Sequence, residues 1–194
     1  MLTSDVIVGR YAPDFELPGV DGSVHHLRDY LTQFQVVGVV FLANNCPLAL
    51  QWVGHLTQLQ EKFAHQGVQL VAINANDGGR SPADRFEAMT AFAAYHHLNF
   101  PYLRDETQDV AEAFDAVCTP HAFLLNQDGV ICYSGSIGLG HEAFLAPTVA
   151  PRQGMQGAIA TLLRGRMPSP ALTDPVGTPI QWRSPHPYHF HFIA

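Results

Sequence analysis

Lysine is almost missing from this chain. Lys62 is the single lysine among 194 residues, and Lys and Arg together number 10 against 17 Asp and Glu, a net charge of −7. Nucleic acid and anionic membrane are recognised through clustered positive charge, so neither is expected as a partner. Also missing is any apolar run approaching the ~20 residues of a membrane-spanning helix. Residues Met1–Asp14 lack the charged start and apolar core of a signal peptide, so no secretion is expected. Cysteine is scarce. Cys46, Cys118 and Cys132 are an odd, scattered set, unsuited to a disulfide framework, and a reducing cytoplasm fits them best. No internal repeat is visible.

Hydrophobic residues make up 47% of the chain and charged ones 14%, which implies a packed globule. The length suits one domain with decorations. The organising stretch is Val36-Val37-Gly38-Val39-Val40-Phe41-Leu42-Ala43-Asn44-Asn45-Cys46-Pro47. Its apolar run has no period-2 alternation, so it reads as a strand buried on both faces, central to a parallel α/β sheet. Sites in such sheets lie beyond the carboxyl ends of the strands. Trp52, Leu56, Leu59 and Phe63 then recur at helical spacing, and Pro47 suits the first helical position. Cys46 therefore falls at a helix N-terminus, where free N–H groups and the dipole favour a thiolate. A buried, inert cysteine is the plainer alternative. Its place between a polar turn and a helix start favours the reactive one.

The rest of the chain supplies the frame. Phe15-Glu16-Leu17 and Val24-His25-His26-Leu27 flank Asp21-Gly22 and read as a hairpin extension. Val68 to Ile73 is a second buried strand, closing a β-α-β unit. The loop Asn74-Ala75-Asn76-Asp77-Gly78-Gly79 should lie at the same sheet edge as Cys46. Ser81-Pro82-Ala83-Asp84 resembles a capping start for a helix through Phe86, Met89 and Ala93 to about His97. A short strand, Phe100 to Leu103, leads through Arg104-Asp105-Glu106, read as a solvated charge cluster capping a helix, into that helix through Val110 and Phe114. Cys118-Thr119-Pro120 enters a strand, His121 to Leu125, and Asp128-Gly129 turns it into Val130 to Tyr133. A last helix spans about Gln153 to Leu163. The main domain is thus 1–164, and 165–194 is a proline-rich tail without periodicity. Trp182, Tyr188, Phe190 and Phe192 give the tail apolar area to pack on its own body or a second copy. An embrace closing a homodimer is expected.

This order resembles the thioredoxin-like fold with a peroxiredoxin-type N-terminal extension, a central mixed sheet flanked by helices. Ala12-Pro13-Asp14-Phe15 is similar to the opening of redoxin domains of the alkyl hydroperoxide reductase/thiol-specific antioxidant type. Phe41 to Pro47 matches the strand-to-cysteine motif, and Thr119-Pro120 matches the position of the family's cis-proline. Ala72 to Asp77, Phe100 to Gln108 and Gly177-Thr178-Pro179-Ile180-Gln181-Trp182 are similar to stretches of bacterial thioredoxin family proteins. The resemblance covers about residues 8 to 183. It implies a cytosolic thiol–disulfide oxidoreductase, with protein or small-molecule thiols and disulfides as partners and no cofactor. Cys46 is then the nucleophile and Pro120 shapes the substrate-facing loop. Asn44, Asn45 and backbone N–H groups polarise the leaving sulfur. Pro47 and Thr119 support the site, and His121 is the histidine expected to bias Cys46 ionisation. The fold also implies that Cys118 approaches Cys46 and pairs with it on oxidation, whereas Cys132 is packed inside.

The departures bear on activity. Ala49 stands where a Cys-X-X-Cys motif has its second cysteine. Ala43 and Thr178 stand where the related group often has cysteines. Ala43 and Pro120 replace the threonine and arginine with which a peroxiredoxin orients peroxide. The alternatives are therefore a weak, antioxidant thiol peroxidase, or a redox-inactive binding or assembly protein on the same fold. The 11 histidines give no metal site. His25-His26 and His96-His97 are adjacent and diverge, and His186, His189 and His191 in an aromatic tail fit packing better than ligation. Gly138-Leu139-Gly140 lacks the further glycine and Lys-Ser/Thr of a phosphate loop.

Overall fold

The computed structural model describes residues 7–138 and 154–184. Strands β1 (Glu16–Pro18) and β2 (Val24–His26) form the expected antiparallel hairpin. Its turn passes through Gly22 at φ +83°, a conformation that glycine adopts without a Cβ clash. A short helix that the pattern does not reveal, α1 (Leu27–Gln33), carries the chain to β3 (Val36–Phe41). Helix α2 (Pro47–Phe63) returns it to β4 (Val68–Asn74), which pairs parallel with β3 from Val36↔Val68 to Phe41↔Ile73. After α3 (Phe86–Tyr95), β5 (Tyr102–Arg104) adds parallel to β4. Helix α4 (Asp109–Ala113) precedes β6 (Cys118–Thr119) and β7 (His121–Asn126), and β7 runs antiparallel to β3. Strand β8 (Ile131–Gly135) closes the sheet in the order β5-β4-β3-β7-β8. Helix α5 (Met155–Leu162) and strand β9 (Thr178–Pro179) complete the described chain. The mixed sheet flanked by helices is the architecture the sequence implied.

Every residue of β3 is buried, and its neighbours explain why. Val36 and Val40 face one apolar cluster with Leu56, Leu70 and Met155. Val37, Val39 and Phe41 face a second one with Phe114, Phe123 and Ile180. Alternate side chains thus reach opposite faces, each covered. Gly38 serves the close fit, since a Cβ there would meet Leu70 Cδ2 at 2.5 Å and Met155 Cε at 2.9 Å. The buried face of α2 runs through Ala49, Val53, Leu56, Leu59 and Phe63, with Trp52 at its half-buried margin.

The tail departs from expectation. Its strand β9 pairs antiparallel with β6, Cys118↔Pro179 and Thr119↔Thr178. Ile180 is fully buried and Trp182 nearly so, both in the second cluster. Polar bonds continue the seam. Gln181 N–H donates to Asn76 Oδ1 at 3.0 Å, and Arg183 N–H to Gln108 Oε1 at 2.8 Å. Ile180 and Trp182 therefore bury apolar area on their own chain, one of the two placements expected for the tail. Tyr188, Phe190, Phe192, His186, His189 and His191 lie outside the described residues, as do Leu139 and Gly140. Within the tail, Thr178 and Pro179 complete a strand pair and Ile180 and Trp182 complete a core.

Ile180→Ala should cost about 2–5 kcal/mol, the usual range for emptying a buried aliphatic site, read as a lower urea midpoint. An unchanged midpoint would mean that the tail is not part of the core.

Candidate active site at the Cys46 turn

The carboxyl end of β3 runs through buried Leu42 and Ala43 into the Asn44-Asn45 turn. Cys46 then caps α2 with extended angles, φ −107° and ψ 112°, and Pro47 takes the first helical position. The Ala49 N–H, one of the helix's unpaired donors, points at Cys46 Sγ at 3.3 Å. The side chain is 1% exposed.

Two further segments close on the sulfur. The Thr119–Pro120 peptide is cis, as the resemblance implied, and the Thr119 carbonyl accepts the Cys46 S–H at 2.8 Å. From the tail, Thr178 Oγ1 stands 3.2 Å from Cys46 Sγ. Burial pushes the Cys46 thiol up. Hydrogen bonds with Thr178, Thr119 and the Ala49 N–H outweigh it, and the net direction is down from an ordinary thiol. Thr119 Oγ1 is buried with no hydrogen-bond partner among the described residues. Its hydroxyl is therefore uncommitted and able to turn to a charged sulfur. Hydrogen bonds to an anion are stronger than those to a neutral group, and the positive end of α2 adds to them.

Other expected residues sit elsewhere. Both ring nitrogens of His121 are engaged, Nε2 with Ser134 Oγ at 3.1 Å and Nδ1 accepting the Val117 N–H at 3.4 Å. Burial lowers its pKa to about 3. His121 is thus a neutral core group turned away from Cys46, a correction of the ionising role expected for it. Asn44 is corrected too. Its N–H donates to Asp84 Oδ1 at 2.7 Å, its Nδ2 to the Ala83 carbonyl at 2.8 Å, and its Oδ1 accepts from Tyr102 at 2.8 Å. It positions the turn and does not address a leaving sulfur. Asn45 is exposed on the turn, and Pro120 is buried. Cys118 is close enough for charge on Cys46 to act on it, yet burial first, and that charge second, push it up to about 12. Its S–H reaches the Pro120 carbonyl at 3.7 Å. Cys132 is 1% exposed in the core, as expected.

Sequence reasoning misses two groups. Thr178 is visible only as a substituted cysteine, and nothing in its spacing ties it to Cys46 across 132 positions. The other is Asp84, fully buried, whose carboxylate accepts from Asn44 N–H, Asn74 Nδ2, Asn76 Nδ2 and Ser81 Oγ. Ser81 therefore holds Asp84 and does not cap a helix. Arg104 is no solvated cluster either. At 3% exposure, its Nη1 donates to the Asn76 and Asp84 carbonyls at 2.8 and 3.1 Å. This polar network is the underside of the Cys46 turn. Among the described residues no group of three or more His, Cys, Asp or Glu gathers into a metal-binding cluster.

The model of the AhpC/TSA family matches residues 8–134. A thiol-disulfide oxidoreductase ResA of Geobacillus kaustophilus is 28% identical over 126 residues, 65% of this chain and 67% of that protein. A crystal structure of a hypothetical protein from Sinorhizobium meliloti superposes with TM-score 0.85 at 27% identity, covering 94% of this chain and 98% of that one. An uncharacterized conserved protein from Geobacillus kaustophilus gives TM-score 0.79 at 31% identity, over 94% of this chain and 96% of that one. The last two alignments extend into the C-terminal segment that carries Thr178.

Thr178→Val keeps the shape and removes the hydroxyl. It should move the pH midpoint of Cys46 alkylation upward, towards that of a free thiol, while Thr178→Ser leaves it in place. Since a depressed pKa means thiolate at lower pH, the loss appears as slower alkylation near neutrality. Coincident pH profiles for the two variants would show that the hydroxyl does not act on the sulfur, and would contradict the assignment.

Proposed function

The chain belongs to the AhpC/TSA family, and on that premise we infer that it is a thiol–disulfide oxidoreductase with Cys46 as its nucleophile. The observation that carries the reading is the surround of one buried sulfur, with the Ala49 N–H at 3.3 Å, Thr178 Oγ1 at 3.2 Å and the uncommitted Thr119 hydroxyl. They outweigh the desolvation that alone would keep it protonated. Cys46 S⁻ attacks one sulfur of a disulfide. The S–S bond breaks, a mixed disulfide with Cys46 forms, and the displaced sulfur leaves as a thiolate. A second thiol then attacks the mixed disulfide and restores Cys46. The exchange carries its own electrons and calls on no cofactor.

We assign that second step to an external thiol. Ala49 offers no sulfur, and Cys118, held near 12, is a thiol and a poor attacking group at neutral pH. The internal pair expected from the sequence is thereby demoted, although Cys118 stays within reach of the charge on Cys46. His121 supplies no proton, so the rate should follow the ionisation of Cys46 alone.

Peroxide is the poorer substrate in this reading. Ala43 is fully buried with no side-chain donor, and the Pro120 position offers none. Loss of one preorganised donor costs roughly a hundredfold or more in rate where such groups act.

The test is turnover of a mixed disulfide of glutathione with a peptide. Cys46→Ser should abolish it, and Cys118→Ala should keep it within about threefold, since the replaced thiol is not ionised. Peptide mapping after treatment with oxidised glutathione should find Cys46 glutathionylated, with one glutathione released, and Cys118 free. Activity surviving Cys46→Ser would overturn the nucleophile, and a dominant Cys46–Cys118 linkage would overturn the external thiol. A reaction of Cys46 with hydrogen peroxide far faster than that of a free thiolate would favour the peroxidase instead.

A further inference from the structure

The tail crosses Cys46 as a span fixed at both ends. On one side Ser134 N–H donates to the Ala171 carbonyl at 3.0 Å, Thr173 N–H donates to the Ser134 carbonyl at 2.9 Å, and Thr173 Oγ1 accepts from Ser136 N–H at 3.0 Å. On the other side Ile180 and Trp182 are buried. Between them, Asp174, Val176 and Pro179 are exposed, and Pro175 and Pro179 have no N–H to give. The ladder with β6 is two residue pairs long, and one of them involves Pro179. At Gly177 the span lies on bare backbone, because a Cβ there would stand 2.4 Å from the Thr119 carbonyl oxygen and 2.9 Å from Cys118 Sγ.

Thr178 Oγ1, 3.2 Å from the sulfur, is at the separation of reacting atoms poised for attack, about 3–3.5 Å. A disulfide must bring one sulfur to that distance with its leaving sulfur on the far side. With Cys46 1% exposed, no disulfide reaches it while β9 is seated. We propose that residues 174–179 are a built-in stand-in for the substrate. They occupy the seat of an extended peptide that pairs with β6 and presents a disulfide sulfur where Thr178 Oγ1 now lies, and they lift before Cys46 reacts. This rests on the oxidoreductase reading and names its substrate class, a disulfide in an extended peptide. In the open state Cys46 sulfur attacks the peptide's sulfur, the peptide's S–S bond breaks, Cys46 becomes joined to the peptide, and the partner sulfur departs as a thiolate. When a thiol frees Cys46, the span reseats, and the Thr178 hydroxyl and N–H again face the sulfur.

The test uses the full-length protein. Gly177→Ala introduces the Cβ that β6 cannot accommodate and should unseat the span, taking the Thr178 hydroxyl off the Cys46 sulfur. If the wild type opens at or below about 10%, the usual range of a minor state, Gly177→Ala should alkylate Cys46 with iodoacetamide about tenfold faster or more at a pH where Cys46 is ionised in both proteins. It should also react faster with an extended pentapeptide carrying a cysteine–glutathione disulfide than with oxidised glutathione itself. Equal alkylation rates in two folded proteins, or equal rates with the two disulfides, would overturn the proposal. Thr178→Cys gives an independent reading. Oxidised glutathione should join position 178 to Cys46, releasing two molecules of glutathione, and a bond from Cys46 to Cys118 or Cys132, or none, would contradict the seat. If Gly177→Ala gains its factor but Cys46 stays no more reactive than an ordinary thiol, the span is confirmed and the nucleophile reading fails.

Discussion

Everything at this site depends on a contest at one atom. Removing the Cys46 sulfur from water disfavours its charged form, and by itself would leave an inert thiol. Hydrogen bonds with Ala49, Thr119 and Thr178 reverse that direction, and they come from three places distant in sequence: the first turn of α2, the strand β6, and the tail. No single segment makes the site. The β-α turn supplies the sulfur and a helix terminus, the β6–Pro120 bend supplies a carbonyl for the thiol and a hydroxyl for the thiolate, and the tail supplies a second hydroxyl.

That dependence explains the structure beneath. The turn before Cys46 must stay rigid for the donors to meet the sulfur, and the Asp84 carboxylate fixes it by accepting from Asn44, Asn74, Asn76 and Ser81. Breaking a satisfied buried network leaves unpaired donors at a cost of about 1–3 kcal/mol each, so these polar residues are as structural as the valines of β3. Ile180 and Trp182 do for the tail what Asp84 does for the turn. They anchor it through apolar burial, and so place Thr178 on the sulfur.

Much of this is legible in the sequence for local reasons. An apolar run, a proline and a helical repeat fix β3, Cys46 and α2 within consecutive residues, and the next buried strand closes the β-α-β unit. The cis position of Pro120 comes from resemblance and holds. The failures are non-local. His121 is adjacent to the cis-proline bend, but which way its ring turns depends on Ser134 across the β7–β8 pair. Asn44 looks free in the sequence because its partner Asp84 lies 40 positions on. Arg104 and Asp105 read as surface because charge is usually solvated, whereas here backbone carbonyls and N–H groups satisfy them inside. The tail has no periodicity to read, since its order comes from a two-residue strand pair and two anchors.

The central claim is that hydrogen bonding lowers the Cys46 thiol against the effect of its burial, and the direct measurement is a thiolate absorbance titration of the wild type against Cys46→Ser. The difference curve should have its midpoint below that of an unperturbed cysteine, about 8.5, with Cys118 and Cys132 silent through neutrality. A midpoint at or above that value would show that burial wins at the sulfur, and would leave this chain a redoxin fold without a working nucleophile.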